Sequence, residues 1–317
     1  MGGPAYGEAS VARGDAQRRG KMTNAGTSAG RRVALVTGAT SGLGRATAIL
    51  LAENGWRVFA AGRSAERRDS LESFARERGF ALETLEMDVT SDASVDGAFA
   101  EMERRGAPSL DAVVNNAGIA IVAPMEEIRP EDLAHQFETN VFSAVRVARR
   151  ALPAMRERRS GRIVNMSSVA GKLAMPLFGP YSGSKFALEA VSDAMRLELV
   201  PFGIHVVVIE PGYIRTDMER AAQELSARYV AGVPTSPYRH VYEGFRRAWS
   251  SNTRDSQDRP EDCARVVLRA LTDNAPRPRY AVTRTAKLTI FFRRILSDRA
   301  LDRRLLRACG LDGRNSA

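Results

Sequence analysis

Arg31-Arg-Val-Ala-Leu-Val-Thr37-Gly38-Ala-Thr-Ser-Gly42-Leu-Gly44 is the stretch on which the fold turns. It opens as a short apolar strand, passes through a glycine-rich turn, and runs into Arg45-Ala-Thr-Ala-Ile-Leu-Leu-Ala-Glu53, which reads as a helix. Glycine lets a backbone turn tightly and approach a pyrophosphate, whose charge is met by free N–H groups at the helix start. The glycines alone would serve equally for a tight turn that packs a helix on a sheet. A strand before them and a helix after them favour a dinucleotide site.

Outward from this unit the chain alternates strands and helices. Arg57–Gly62, Leu82–Val89, Leu110–Asn115, Arg162–Met166 and His205–Glu210 read as further strands, with a long helical stretch from about Pro130 to Arg159. Apolar, β-branched strands alternating with helices imply an α/β fold: a Rossmann-type, doubly wound parallel sheet covered on both faces. Ligands then bind beyond the carboxyl ends of the strands, where the glycine turn, Asn115, Ser168 and Pro211 all fall.

The chemistry is announced by Tyr181-Ser-Gly-Ser-Lys185, whose tyrosine follows Ser168 by 13 residues. A Tyr and a Lys four apart on a helix share one face. An ammonium beside a phenol favours the phenolate and is expected to lower a pKa normally near 10, giving a general acid/base for neutral pH. Ser168, just past an apolar strand, can offer a hydroxyl to the same substrate oxygen. Ser167 competes for that role.

Together, Thr37-Gly-x-x-x-Gly-x-Gly44, Asn115-Asn-Ala-Gly118, Asn140, Ser168, Tyr181-x-x-x-Lys185 and Pro211-Gly212 resemble the short-chain dehydrogenases/reductases in order and spacing, over roughly residues 31 to 275. Tyr181–Glu189 and Pro201–Gly212 look like the branch holding 17β-hydroxysteroid and retinol dehydrogenases. The resemblance implies Ser168, Tyr181, Lys185 and Asn140 as catalytic residues, with Asn140 helping to hold a water that links the lysine to solvent. It implies a nicotinamide cofactor bound by Gly38, Thr40, Ser41, Gly42, Leu43 and Gly44. Asp88 and Val89 would border the adenine, and Asn115, Ala117 and Gly118 the adenosine ribose side. Pro211, Gly212, Ile214 and Thr216 would line the nicotinamide, and Tyr181 and Lys185 would also touch the cofactor. Ser168 is favoured over Ser167 by its interval to the tyrosine.

Cofactor choice turns on the end of the second strand. NAD-specific proteins usually place an acid there to accept the ribose hydroxyls. Here the run is Ala61-Gly62-Arg63-Ser64, and a guanidinium can pair with a 2′-phosphate. The expectation is NADP(H), with an NAD-linked oxidising alcohol dehydrogenase or an idle NADP(H)-binding regulator as alternatives. The family's substrate lid corresponds to about residues 213–256, where Leu225, Tyr229, Val233, Tyr238, Tyr242, Phe245 and Trp249 suit a bulky lipophilic alcohol or ketone or a packed lid equally.

The net charge of +10 is uneven: residues 1–32 carry +4, residues 277–317 carry +8, and the body between them −2. A body without excess positive charge argues against a nucleic-acid partner. Residues 1–30 read as a disordered leader in which Met22 could be the true start. Residues 31–275 read as the catalytic domain and 276–317 as a basic helical extension. There, Leu288, Phe291, Phe292 and Ile295 form one stripe, Ser297 is placed to cap a second helix with Leu301, Leu305 and Leu306, and Gly310 ends it. Residues 286–309 could lie on an anionic membrane or dock on the body or a second subunit; both readings stay open. Cys263 and Cys309 give no disulfide framework, and His135, His205 and His240 lack metal-ligand spacing, so no metal site is expected. With no apolar run near the length of a membrane span and no signal-peptide core, the expectation is a cytoplasmic enzyme, with peripheral contact at a membrane surface left open. A homo-oligomer is a family expectation.

Overall fold

The computed structural model describes residues 30–254 and 257–312. The expected leader lies outside them, apart from Gly30. From Arg32 onward the chain forms one compact unit.

The first half alternates β1 (Val33–Thr37), α1 (Gly42–Glu53), β2 (Arg57–Gly62), α2 (Ala65–Glu77), β3 (Leu82–Glu86), α3 (Asp92–Arg104) and β4 (Ala112–Asn115). The second half holds α4 (Pro130–Phe137), α5 (Ser143–Arg158), β5 (Gly161–Met166), α6 (Gly179–Leu199) and β6 (Ile204–Glu210). The helices α7 (Met218–Leu225), α8 (Ala227–Gly232) and α9 (Arg239–Arg254) follow in the segment expected as a lid, then α10 (Pro260–Thr272), β7 (Arg279–Ala281), α11 (Arg284–Ile295) and α12 (Asp298–Ala308). The seven strands are all parallel in the order β3-β2-β1-β4-β5-β6-β7. The chain reverses direction across the sheet between β1 and β4, which opens the crevice where such folds bind ligands.

The central strand β1 is apolar along most of its length because both faces of the sheet are covered. Ala34 and Val36 of β1 pack with α1 and α10 on one face, while Leu35 packs with α3 and α5 on the other. β3 stops at Glu86, short of the expected Val89, because Asp88 folds into a polar turn: its Oδ1 accepts from the Thr90 N–H at 2.9 Å and its own N–H donates to Ser94 Oγ. The helix expected from 130 to 159 is interrupted by a π turn, Glu138–Phe142, that helical spacing does not reveal.

The boundary expected at residue 275 falls inside the fold. β7 completes the sheet beyond it, and Arg279 binds Glu189 (2.9 Å) and Asp193 (2.5 Å) on α6. In the extension, Thr283 caps α11 through the Ala286 N–H at 3.0 Å. Ser297 occupies the N-cap position of α12 but makes no capping hydrogen bond there. Gly310, with φ +65°, ends α12 in a Schellman turn, Leu311 N–H donating to Leu306 O at 2.8 Å. Both cysteines are buried as free thiols, and burial pushes Cys263 up to about 12.

Candidate active site

A cleft of 630 Å³ runs along the carboxyl ends of the strands. Gly38, Thr40, Ser41, Gly42, Leu43, Arg63, Asp88, Val89, Ala117, Gly118, Ser168, Tyr181, Lys185, Pro211, Gly212, Ile214 and Thr216 all line it. Three expected residues do not. Gly44 packs beneath the turn, where a Cβ would strike the Gly38 carbonyl and the Asn116 side chain. Asn115 turns into the interior, its Nδ2 donating to Asn165 Oδ1 at 2.8 Å. Asn116 lines the cleft instead. Asn140 sits behind the wall in the π turn, where its Nδ2 donates to Ile119 O and Ser184 Oγ (both 2.9 Å) and its Oδ1 accepts from the Ile119 N–H (2.8 Å). Its side chain thus fixes the strand-to-loop exit after Gly118.

At the floor, the Ser168 hydroxyl donates to the Tyr181 phenol, and the Ala170 N–H donates to Ser168 Oγ at 3.1 Å. Ser167 also lines the cleft, but it is buried and its hydroxyl lies against the small space kept by Gly171. Lys185 Nζ lies 5.6 Å from the Tyr181 ring centre and donates to the Met166 carbonyl at 2.8 Å. The expected lowering of the phenol is not what the geometry gives. Burial raises Tyr181 to about 12, opposed by the Ser168 hydrogen bond, because the ammonium is directed at a carbonyl rather than at the phenol oxygen. Burial also brings Lys185 down to about 8, against the opposing pull of Glu189.

Behind the lysine lies a charge cluster. Glu189 Oε2 accepts from Lys172 Nζ at 2.6 Å and from Arg279 Nε at 2.9 Å. Glu210 lies 3.4 Å from Lys172, and burial and the Glu189 charge hold its carboxyl above the usual range.

At the other end, Gly38 and Gly42 have φ of +61° and +51°, a region that L side chains rarely adopt. A Cβ on Gly38 would also lie 2.9 Å from Ala117 Cα. α1 starts beside them with no acid in its first turn. An anionic pyrophosphate fits this cradle. The turn is braced by Thr37, whose Oγ1 accepts from the N–H groups of Asn116 (3.0 Å) and Ala117 (3.1 Å), and by Asn116 Nδ2, which donates to Thr37 O at 2.9 Å. A Cβ on Gly62 would lie 2.5 Å from Thr40 Cγ2, so the acid of NAD-specific proteins has no room there as the chain stands.

The model of the family described as short chain dehydrogenase matches residues 32–226, more than half of the chain. The chain belongs to this family. It is an oxidoreductase of the short-chain dehydrogenases/reductases. It is 31% identical to human 17-beta-hydroxysteroid dehydrogenase type 1 over 80% of this chain and 78% of that protein. It is likewise 31% identical to bovine retinol dehydrogenase 8, over 77% of this chain and 79% of the relative. Among solved structures it is similar to the actinorhodin polyketide ketoreductase determined with NADPH, at a TM-score of 0.67 and 30% identity, covering 80% of this chain and 95% of that one. Among the described residues no helix is long and apolar enough to cross a membrane, and no cluster could hold a metal ion.

Several cleft residues of this family member escaped the sequence. Ser64, Arg67 and Thr90 line the cleft with Arg63 and Asp88, and His135 and Thr139 line it too. Arg67 lies one turn into α2, at a position that charge alone does not separate from the solvated face; it reaches Asp217 at 3.9 Å.

Proposed function

We propose that the protein is an NADP(H)-dependent carbonyl reductase for a lipophilic substrate. The observation that carries this is the convergence of the Ser168 hydroxyl, the Tyr181 phenol and the Lys185 ammonium on the floor of one cleft whose far end is a glycine cradle. A bound nicotinamide would supply the hydride. Tyr181 then holds the proton destined for the substrate oxygen, and its raised pKa keeps it protonated at neutral pH, as a donor must be. Ser168 orients that oxygen through its hydroxyl. Lys185 holds the Tyr181 side of the site and, with a pKa near pH 8, can pass a proton onward at little cost. Asn140 acts through the backbone at Ile119.

NADP(H) rather than NAD(H) is supported by Arg63 and Arg67 at the adenosine end and by the closed space at Gly62. A lipophilic substrate is supported by an aromatic cluster packed behind Tyr181. Phe178 meets Tyr181 edge-on at 5.6 Å between ring centres and packs on Phe245 and Trp249 at 5.3 and 5.2 Å. The similar steroid and retinol dehydrogenases point the same way. Self-association through α5 and α6 is part of this reading, because Phe142 before α5 and Phe186 on α6 stand exposed.

The test is oxidation of NADPH, with NADH in parallel, against ketosteroids, retinal and long-chain aldehydes. Turnover with NADPH on one of these classes is expected. Tight NADPH binding without turnover on any carbonyl would favour an idle cofactor-binding protein and overturn the reading.

A further inference from the structure

The α11–α12 hairpin presents its apolar residues to solvent instead of to the body. The buried side of α11 is Ala286, 1% exposed, whereas Leu288 is 57%, Phe291 55% and Ile295 60% exposed. Positions 288, 291, 292 and 295 recur at helical spacing, so they make one outward stripe. Phe291 and Phe292 pack edge to face, and Arg304 of α12 lies 5.0 Å over the Phe292 ring. Residues 284–312 hold eight basic and three acidic side chains. Arg284 lies on the stripe itself, and Lys287 and Arg294 flank it along one side.

We propose that this stripe docks the protein on an anionic lipid surface, with the two phenylalanines, Leu288 and Ile295 entering the acyl boundary and the arginines and lysine meeting the headgroups. Apolar side chains flanked by cations are the composition that binds such a surface. A second copy of the chain fits less well. A two-fold contact through the stripe would set the same cationic surface against itself, and like charges facing each other oppose association.

The hairpin is held close to the body at two points. A Cβ on Gly212, in the loop after β6, would run into the hydroxyls of Thr283 and Thr285 just before and at the start of α11. A Cβ on Gly244 of α9 would run into the Cys309 carbonyl at the end of α12. Docking the stripe therefore holds Gly212, which lines the cleft, and α9 near the lipid surface, where a lipophilic substrate is concentrated.

The test is flotation of the full chain with vesicles of phosphatidylcholine alone and of phosphatidylcholine mixed with phosphatidylserine. Roughly tenfold stronger binding to the anionic vesicles, reversed by salt, is expected. The double substitutions F291E/I295E and K287E/R294E should each lower that binding at least about tenfold. Both should leave oxidation of NADPH with a water-soluble carbonyl unchanged, because none of the four residues lines the cleft. Absence of binding to the anionic vesicles overturns the proposal, as does equal binding by the variants. So does a change of oligomeric state in F291E/I295E without vesicle binding, which would make the stripe a subunit interface. The readout is binding, so it stands or falls separately from the identity of the reaction.

Discussion

Replacing Lys185 with methionine should remove turnover and yet make the protein more stable. Burial holds the ammonium at a pKa of about 8, against 10.5 for an unburied lysine. That difference burdens the folded state by about 3 kcal/mol at pH 7, where the lysine is charged in both states. Methionine fills similar space without charge but leaves the Met166 carbonyl, now 2.8 Å from Nζ, without its donor, a loss of about 1–2 kcal/mol. The net gain is about 1–2 kcal/mol, or roughly 2–4 °C in Tm for a chain of this size. The dependence on pH is the sharper signature. The burden on the native protein is full below pH 8 and fades as the pH climbs from there toward 10.5, because the folded state has already released the proton. The native protein therefore gains on the variant as pH rises, and by about pH 9.5 roughly 2 kcal/mol of the 3 is gone. Differential scanning calorimetry of both proteins at neutral and alkaline pH reads this directly. A variant less stable at both, or a gap that does not narrow with pH, would refute the reasoning.

Tyr181→Phe should lower turnover by about a thousandfold while NADPH binding, followed by fluorescence titration, stays intact; retained turnover would remove the tyrosine from the chemistry. Arg63→Glu should raise the KM for NADPH tenfold or more and leave that for NADH nearly unchanged, since it removes a phosphate partner and adds a repelling charge. Gly62→Ala should destabilise by about 1–3 kcal/mol, because its Cβ would overlap Thr40; urea unfolding would show it. Thr37→Val should cost about 2–3 kcal/mol in the same assay by leaving the N–H groups of Asn116 and Ala117 without their shared acceptor.

What was legible in the sequence was what the backbone demands locally. The glycines at 38 and 42 are required by their positive φ, and the strands β1, β2, β5 and β6 by apolar runs bounded by turns. The Tyr181 to Lys185 spacing is a property of any helix. What remained hidden depends on surroundings. Asn115 and Asn116 are adjacent amides at a strand end, and only the sheet decides which faces the cleft. The direction of the Tyr181 shift needs the burial of the phenol and the aim of the ammonium, neither of which spacing carries. β7 is three residues long and opens on an arginine, and it is held as a strand by pairing with β6, by Tyr280 packing in the core and by Arg279 meeting acids on α6. The stripe on α11 was visible as a stripe, but an amphipathic pattern does not say whether its apolar side turns inward.

Arg279 gives this fold a particular order of completion. A chain made from its amino end toward its carboxyl end has laid down the cofactor cradle, Ser168, Tyr181 and Lys185 long before residue 279 emerges from the ribosome. Until then Glu189 and Glu210 sit in the nascent interior with Lys172 as their one ion-paired cation, beside the lysine of the site. A buried carboxylate pair short of positive charge takes up protons or admits water rather than closing. Competence therefore arrives late in synthesis, with the edge strand that carries the second cation, and a chain cut at residue 275 would hold every reactive group of the cleft without the charge that lets them settle.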